Sequence, residues 1–323
     1  MIVITGGAGM IGSVIAHHLN QEGRDDLVIV DSQKHADQWQ NLCHRRYEEY
    51  LDKEELLPWL ESGAEPEAVI HMGAISATTE RDWNRLLDDN IRYSQALWQW
   101  CADNAVPFLY ASSAATYGGG EFGYDDAAEI EHLRPLNAYG YSKHFFDQWA
   151  LRQAGLGNAP PFWAGFKFFN VYGPNEYHKE RMASVVFHAF NQYRDLGTVK
   201  LFKSDRADVE DGMQLRDFVY VKDAADVVVW FLEGKGVSGI YNIGTGQARA
   251  FKDLATAVME AAGGAPDITW IDMPDDLKGR YQYYTQANMD KLRAAGYERP
   301  FLTLEEGVRD YVQNYLMEPD PYC

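Results

Sequence analysis

Residues 1–12 read MIVITGGAGMIG, a short apolar run followed by a glycine-rich loop. The run at residues 2–5 predicts a buried strand and residues 11–22 predict a helix, so the glycines lie where a strand passes into a helix. Glycines at such a place let the backbone approach a pyrophosphate, and the helix N-terminus offers free N–H groups. Asp31 ends the next apolar run, 19 residues after Gly12, where a carboxylate binds an adenosine ribose. The stretch therefore predicts a dinucleotide-binding α/β fold.

Apolar runs and helical patterns alternate through the first half of the chain. Strands are predicted at residues 2–5, 27–30, 68–71, 108–112 and 162–169, and helices at residues 11–22, 53–61, 83–104 and 138–153. This alternation predicts a doubly wound parallel sheet (a Rossmann fold) covered by helices on both faces. A helix at 182–194, a polar loop at 204–214 and a late strand at 240–244 follow. We expect a dinucleotide-binding Rossmann domain from residues 1–173 and 216–247, and a smaller mixed α/β substrate-binding lobe from residues 174–215 and 248–323.

Two local expectations concern the second half of the chain. Asp223, at the end of the segment RDFVYVKD (residues 216–223), is predicted to cap the helix that follows. The Pro-containing segment 318–323 is predicted to be a frayed tail.

Charge and composition exclude several classes of partner. The 323 residues carry a formal net charge of -19, which argues against a general nucleic-acid or anionic-membrane surface, since those need clustered Lys and Arg. No apolar run approaches the ~18 residues that span a bilayer. Three scattered cysteines show no metal-ligand spacing and suit a reducing compartment. Because the first strand begins at Ile2, with no room for a cleavable presequence, we expect a cytoplasmic protein without a metal site.

A second motif, YGYSK at residues 139–143, predicts proton transfer. In a helix Tyr139 and Lys143 lie four residues apart on one face, so the ammonium stabilises a phenolate and brings the phenol nearer to neutral titration. Ser113 ends the fourth predicted strand, where its hydroxyl shares the substrate oxygen's hydrogen bond with the phenol. The next two residues are alanines, so this strand end has no carboxylate to protonate a leaving hydroxyl. The pattern predicts oxidation and reduction without elimination.

These motifs and several narrower ones resemble those of a known family. The general motifs lie at residues 5–12, 110–118 and 139–143; the narrower ones are FNVYGP at 169–174, HK at 178–179 with MAS at 182–184, LKGRY at 277–281 and LRAAGY at 292–297. Over nearly its whole length the chain resembles the extended short-chain dehydrogenases/reductases of the NAD-dependent epimerase/dehydratase type, and among them the ADP-heptose 6-epimerases.

The resemblance implies a reaction, a cofactor and an assembly. The implied isomerase uses bound NADP, or NAD, to oxidise C6 of the heptose in ADP-D-glycero-D-manno-heptose to a ketone. Reduction of that ketone from its other face gives the L-glycero isomer, which supplies heptose for the lipopolysaccharide core. The implied protein is a homo-oligomer, a pentamer by family resemblance.

The resemblance also implies site residues. The proton-transfer groups would be Tyr139 and Lys179, assisted by Ser113 and Lys143; a second base is chemically sensible because one phenol cannot easily serve both poses of a rotated ketone. The implied cofactor contacts are Gly6, Gly9, Met10, Ile11, Gly12, Asp31, Ser32, Lys53, Met72, Gly73, Ala74, Ile75, Ser76, Asn90, Tyr139, Lys143, Asn170, Val171 and Lys179. The implied substrate contacts are Ser113, Asn170, Arg181, His188, Phe202, Lys203, Ser204, Asp205, Arg216 and Tyr281.

The sequence leaves the form of the cofactor open. Asp31 favours NAD, whereas Lys34, His35 or Lys53 could meet the 2′-phosphate of NADP. Gln38 stands where the family pattern has a lysine near that phosphate.

The nucleotide sugar is also open. Arg216 is the strongest physical candidate for a substrate contact, since a guanidinium clamps a pyrophosphate bidentately. His188 is equally well explained as a packed histidine, and Phe202 as a core residue. Arg181 and the acidic segment 207–214 depart from the family pattern, so another nucleotide-sugar epimerase or reductase, such as a UDP-hexose 4-epimerase, is the alternative.

Overall fold

The computed structural model describes residues 1–32, 37–274 and 282–323. The strands in these ranges are β1 (Ile2–Thr5), β2 (Leu27–Val30), β3 (Glu49–Leu51), β4 (Ala68–His71), β5 (Phe108–Ser113), β6 (Trp163–Phe168), β7 (Asn170–Tyr172), β8 (Val199–Phe202), β9 (Leu215–Tyr220), β10 (Gly239–Ile243), β11 (Ala248–Ala250) and β12 (Ile268–Ile271). The α-helices are α1 (Met10–Gln21), α2 (Leu56–Glu61), α3 (Trp83–Leu86), α4 (Tyr93–Asp103), α5 (Ala138–Gly155), α6 (Val185–Leu196), α7 (Val221–Leu232), α8 (Phe251–Ala261), α9 (Asp290–Ala294) and α10 (Leu304–Tyr311). Wider π turns at Leu87–Arg92 and Val312–Leu316 extend α3 into α4 and lengthen α10. Short 3-10 turns lie at Gln38–Leu42, Ala114–Tyr117, Ile130–His132 and Tyr177–Met182.

The main sheet has seven strands in the order β10-β6-β5-β4-β1-β2-β3, and all of its pairings are parallel. The predicted doubly wound parallel sheet is therefore confirmed. The direction of winding reverses between β1 and β4, which is the place where ligands bind in such sheets.

Side chains of each strand alternate between two apolar cores, one on each face of the sheet. In β1, Ile2 and Ile4 belong to one core and Val3 to the other. Helices cover both faces, so the strands read as unbroken apolar runs and could be located in the sequence.

An aromatic cluster fills one of these cores behind β5 and β6. Trp98 is fully buried at its centre. Its ring lies 5.1 to 6.5 Å, between centroids, from the rings of Phe108, Tyr110, Phe146, Trp149 and Trp163. The cluster joins α4, α5, β5 and β6, and so fixes the helix with the YGYSK motif against the strand that ends at Ser113.

Two small sheets lie outside the main sheet. Strands β7, β9 and β11 form one of them, and β8 pairs with β12 in the other. The sequence assigned residues 216–247 to the Rossmann domain, but β9 pairs with β7 and β11 rather than with the main sheet. The division into two lobes stays a prediction. In the structure β9 belongs to one of the small sheets, not to the main sheet.

Helix α6 begins later than predicted. The sequence indicated 182–194, whereas α6 spans Val185–Leu196. Its N-cap is Ser184, whose hydroxyl accepts a hydrogen bond from the N–H of Phe187 at 3.3 Å, so the helix begins where this cap allows.

Asp223 is not a helix cap. Helix α7 begins two residues earlier, at Val221, and the Asp223 carboxylate accepts the N–H of Leu302 at 2.8 Å from its place in the first turn. The prediction was wrong because the partner of this carboxylate lies far away in sequence.

The segment 318–323 is anchored rather than frayed. The hydroxyl of Tyr177 donates to the carbonyl of Pro321 at 2.6 Å, and the N–H of Cys323 donates to Oδ1 of Asn175 at 3.2 Å. Composition alone favoured disorder here, and that expectation was wrong.

Candidate active site

The glycine-rich loop turns tightly at the C-terminal end of β1. Gly6 has φ of 64°, and a Cβ there would lie 2.6 Å from the backbone nitrogen of Gly73. A Cβ on Gly12 would lie 2.2 Å from the carbonyl oxygen of Gly6, so both positions require glycine. Helix α1 begins at Met10 without a side-chain cap, which leaves the N–H groups of its first turn for a bound anion.

A cleft of about 390 Å³ opens over this loop, and we call it the dinucleotide cleft. Most of the predicted cofactor residues line it: Gly6, Gly9, Met10, Ile11, Gly12, Asp31, Ser32, Lys53, Met72, Gly73, Ala74, Ile75, Ser76, Val171 and Lys179. Residues from the ends of β1, β2 and β4 thus meet, as the switch point of the sheet requires.

A second cleft of about 350 Å³, which we call the catalytic cleft, adjoins the first. Ser113, Tyr139, Lys143 and Asn170 line it. The two clefts share part of their lining. The shared residues are Ile11, Met72, Ala74, Ser76, Ala111, Val171, Lys179 and Met182. The two sequence motifs therefore lie in one continuous space.

Tyr139 is buried and lines the catalytic cleft beside Ser113, whose hydroxyl interacts with the phenol. Burial nevertheless raises the pKa of Tyr139, against the opposing effect of the Ser113 hydrogen bond. Lys143 donates to the carbonyl of Ala111 at 2.9 Å, and burial lowers the pKa of Lys143 to about 8. The predicted lowering of the phenol's pKa by Lys143 is therefore wrong for the protein chain alone.

A buried ion pair that the sequence analysis missed supports these residues from behind. Nζ of Lys167 lies 2.7 Å from Oδ2 of Asp147, which also accepts the hydroxyl of Ser112 at 2.7 Å. The charge of Asp147 favours the protonated form of Lys143 and opposes ionisation of Tyr139. Asp147 lies four residues after Lys143 on one face of α5, and that spacing was the available signal.

Lys179 lies where the two clefts meet. Burial lowers its pKa, against the opposing charge of Glu176, and its Nζ is 3.8 Å from Sδ of Met10. The next residue, Glu180, has φ of 48° and ψ of -120°, a left-handed conformation that surrounding contacts must hold. A half-buried lysine with a lowered pKa is suited to proton transfer.

Asp31 and Lys53 line the dinucleotide cleft where the sequence predicts the adenosine ribose. The Asp31 carboxylate accepts the N–H of Ser32 at 2.8 Å. Lys53 forms an ion pair with Asp89 and lies over the ring of Tyr93 at 4.9 Å. The other predicted cations, at positions 34 and 35, lie outside the described residues.

Asn90 lines neither cleft. Its amide accepts the N–H of Ile75 at 2.8 Å and donates to the Ile75 carbonyl at 3.0 Å and to the Ser142 hydroxyl at 2.9 Å. These contacts occupy both ends of the amide and position the loop at Ile75, while the cofactor contact of Asn90 stays a prediction.

Several predicted substrate residues also line neither cleft. Arg181 is exposed, and His188 is half-buried on α6 beside Phe187. Lys203 forms an exposed ion pair with Asp272 at 3.0 Å. Phe202 ends β8, Ser204 and Asp205 contact the Tyr283 hydroxyl, and Tyr281 lies outside the described residues.

Arg216 lies next to the catalytic cleft. Its guanidinium carbon is 5.6 Å from the ring centroid of Phe251, which lines that cleft. The guanidinium also donates to the carbonyl oxygens of Leu215, at 2.8 Å, and of Gln282. Arg216 is buried and lines neither cleft itself.

Two other kinds of site have no candidate among the described residues. Within residues 1–32, 37–274 and 282–323, no three His, Cys, Asp or Glu side chains are grouped so that they could hold a metal ion. Over the same ranges, no helix has the length and apolar character needed to cross a membrane.

Comparisons with known proteins agree with this geometry. The family model described as "NAD dependent epimerase/dehydratase family" matches residues 2–244. The chain is 53% identical to an ADP-L-glycero-D-manno-heptose-6-epimerase of Fusobacterium nucleatum subsp. nucleatum, with 100% of each chain covered.

Solved structures show the same fold. The structure of Helicobacter pylori ADP-L-glycero-D-manno-heptose-6-epimerase matches with a TM-score of 0.80 and 28% identity, covering 97% of this chain and 95% of that one. The complex of Thermus thermophilus UDP-glucose 4-epimerase with NAD matches with a TM-score of 0.75 and 26% identity, covering 97% of each chain.

Proposed function

Because the chain belongs to the NAD dependent epimerase/dehydratase family, we propose that it inverts C6 of the heptose in ADP-D-glycero-D-manno-heptose to give ADP-L-glycero-D-manno-heptose. The enzyme is an isomerase of the nucleotide-sugar epimerase type, as are its relatives of 46% to 53% identity. The observation that carries the proposal is the pair of proton-transfer groups, Tyr139 and Lys179, in one catalytic cleft.

The dinucleotide cleft fits a nicotinamide dinucleotide. The turn at Gly6 and Gly12 would collide with any added Cβ, and the open first turn of α1 suits a pyrophosphate. Asp31 would hold the adenosine ribose, and Lys143 and Tyr139 would contact the nicotinamide end. When bound, the nicotinamide accepts a hydride from the substrate carbon and later returns it.

Proton transfer at the substrate oxygen falls to the chain's own residues. As hydride leaves C6, a base in the catalytic cleft takes the proton of the C6 hydroxyl, and the 6-keto sugar forms. The ketone turns within the cleft, receives hydride on its other face and takes a proton from an acid. Tyr139 with Ser113 serves one pose and Lys179 the other, which accounts for two proton-transfer groups that line one cleft.

The raised pKa of Tyr139 bears on this assignment. The phenol of the chain alone holds its proton, which suits it to act as an acid.

We propose NADP as the cofactor, with NAD as the alternative. Asp31 at the ribose end favours NAD, while Lys53 lines the same cleft and could turn from Asp89 to a 2′-phosphate. From the family resemblance we also propose that the protein is a homo-oligomer, a pentamer. Its product would supply heptose for the lipopolysaccharide core.

A UDP-hexose 4-epimerase is the second candidate, supported by the structural match to the Thermus thermophilus protein. Lys179 separates the two candidates, because it belongs to the HK motif at 178–179 of the narrower resemblance and not to the motifs shared by the wider family.

The test uses purified protein without added cofactor. The nucleotide released on denaturation is identified first, and ADP-D-glycero-β-D-manno-heptose is then added while the C6 configuration is followed by NMR. Conversion to the L-glycero isomer with NADP released supports both parts of the proposal. No conversion, even with NAD or NADP added, overturns the substrate assignment, and conversion by Lys179→Ala at the wild-type rate removes Lys179 from the mechanism.

A further inference from the structure

Residues 320–323 form a strap that packs against residues 175–178, directly before Lys179. The proposed function needs Lys179 at a defined place, and the contact of its Nζ with Sδ of Met10 is long, at 3.8 Å. The position of the residues before it therefore matters for the site.

Three contacts join the strap to this segment. The Tyr177 hydroxyl donates to the Pro321 carbonyl at 2.6 Å. The ring of Tyr322 meets the ring of Tyr177 edge-on, with centroids 5.2 Å apart and an angle of 85°. The N–H of Cys323 donates to Oδ1 of Asn175 at 3.2 Å.

The same segment is held from its other side by the glycine-loop region. Nδ2 of Asn175 donates to the Ser13 hydroxyl at 2.9 Å, and Nδ2 of Asn41 donates to the carbonyls of Ala8 at 2.8 Å and Asn175 at 3.0 Å. His178 completes this side, with its Nδ1 3.2 Å from Nδ2 of Asn41. The segment thus lies between the dinucleotide loop and the strap.

The strap also has an outer anchor. Nε2 of His44 lies 2.8 Å from Oδ2 of Asp320, so the strap is attached at both of its ends. Glu180, just beyond Lys179, holds a left-handed conformation that relaxes when its surroundings loosen. A loosened strap would free the backbone of residues 175–178, before Lys179. The strained backbone of Glu180, after Lys179, could then relax and move the lysine.

We propose that the strap, through Tyr322 and Pro321, is a positioning element that holds Lys179 at the junction of the two clefts. None of the strap residues lines either cleft, so the strap acts through the segment it packs against. The inference rests on the proposed function, because it assigns a purpose to the position of the second proton-transfer group.

The experiment is a double-mutant cycle between Tyr322→Ala and Lys179→Ala, read by NMR as kcat and KM for the heptose substrate. Tyr322→Phe keeps the ring that meets Tyr177, and Met317→Ala, at an exposed side chain nearby, is the matched control. Tyr177→Phe removes only the hydroxyl that donates to the Pro321 carbonyl. This variant replaces Tyr322→Ala in the cycle if Tyr322→Ala does not fold.

We expect Tyr322→Ala to lower kcat about tenfold, with KM and bound dinucleotide unchanged, because misplacement of a proton-transfer group affects the chemical step. Tyr322→Phe should restore the rate, and Tyr322→Ala should have no further effect in the Lys179→Ala background. Equal factors in both backgrounds, or an unchanged kcat, would overturn the positioning role. A wild-type protein without heptose conversion overturns the proposed function. A fully active Lys179→Ala leaves that function standing but removes Lys179 from the mechanism, and the strap's role with it.

Discussion

The dinucleotide cleft and the segment 202–216, where the sequence predicts substrate contacts, satisfy their polar groups in different ways. In the cleft, the glycine loop presents main-chain N–H groups, and the residue types that permit this are adjacent in the chain. In the segment, Lys203 pairs with Asp272 and Arg216 donates to carbonyls that include that of Gln282, both far along the chain. A site made by backbone can be recognised from a short motif, whereas a site made by charged side chains depends on distant partners.

The largest effect expected from this comparison is at Tyr139. Tyr139→Phe removes the phenolic proton and keeps the ring, so kcat should fall about 10²- to 10⁴-fold while bound dinucleotide is retained. Epimerisation rates by NMR and the nucleotide content of the purified protein check this. Tyr141→Phe, on the same helix but lining neither cleft, is the control, and a normal rate in Tyr139→Phe would place the chemistry elsewhere.

Gly12→Ala tests whether the glycine-rich loop requires a residue without a side chain at this position. The added Cβ would lie 2.2 Å from the Gly6 carbonyl oxygen, so the free energy of unfolding should drop by about 1–3 kcal/mol and the dinucleotide should be lost. Urea unfolding and nucleotide release measure both effects. Gly155→Ala, where a Cβ meets nothing within 4 Å, should be neutral or slightly stabilising.

Arg216→Ala tests whether the substrate side reaches the catalytic cleft. Loss of a clamp on the diphosphate should raise KM for the ADP-heptose about tenfold, or ~1.4 kcal/mol, with a smaller change in kcat. Arg249→Ala is the matched control, since Arg249 is the register partner of Arg216 and pairs with Glu305 instead. Equal KM values for the two variants would exclude Arg216 from the substrate site.

Lys143→Met separates stability from function within the catalytic cleft. The folded-state pKa of about 8 lies below the ordinary 10.5, so between these values the unfolded chain binds more protons and stability rises with pH. Removing the buried ammonium should raise the free energy of unfolding by about 1 kcal/mol at pH 7, and this gain should vanish toward pH 10.5. Urea unfolding of both proteins from pH 7 to 10.5 measures it; a pH-independent difference would contradict the assignment.

The smallest effect is expected at Lys203. Its ion pair with Asp272 is exposed, so Lys203→Ala should change stability by less than about 0.5 kcal/mol and KM by less than about twofold. Steady-state kinetics and thermal unfolding suffice. A large rise in KM would show that the segment 202–216 contacts the substrate. It would contradict the difference drawn above between this segment and the dinucleotide cleft.

Sequence reasoning located most of the fold and the dinucleotide cleft. The five predicted strands in the first half are β1, β2, β4, β5 and β6, because strands buried on both faces give unbroken apolar runs. Strands β3, β7 and β11 were missed, since three residues are too few to show a period. Strands β8, β9 and β12, which lie in the two small sheets, were not predicted either. Asp31 and the glycines could be placed because their motif includes its own structural context.

The rest of the site depends on contacts that no local pattern shows. Asn90 supports the loop at Ile75 through its amide, and Asp147 lies behind Lys143 with Lys167 from another strand as its partner. The strap was assigned to disorder because its anchors, Asn175 and Tyr177, are far away in sequence.

The aromatic cluster around Trp98 gives the molecule a built-in optical signal. Trp98, Trp149 and Trp163 are three of its nine tryptophans, and the indoles of Trp98 and Trp163 lie 5.1 Å apart at a fixed angle of 60°. Rigid, closely spaced indoles give strong near-ultraviolet circular dichroism that disappears when specific packing is lost. Because the cluster joins α5 to β5, this ellipticity reports directly on whether the helix and strand that carry Tyr139 and Ser113 are still locked together.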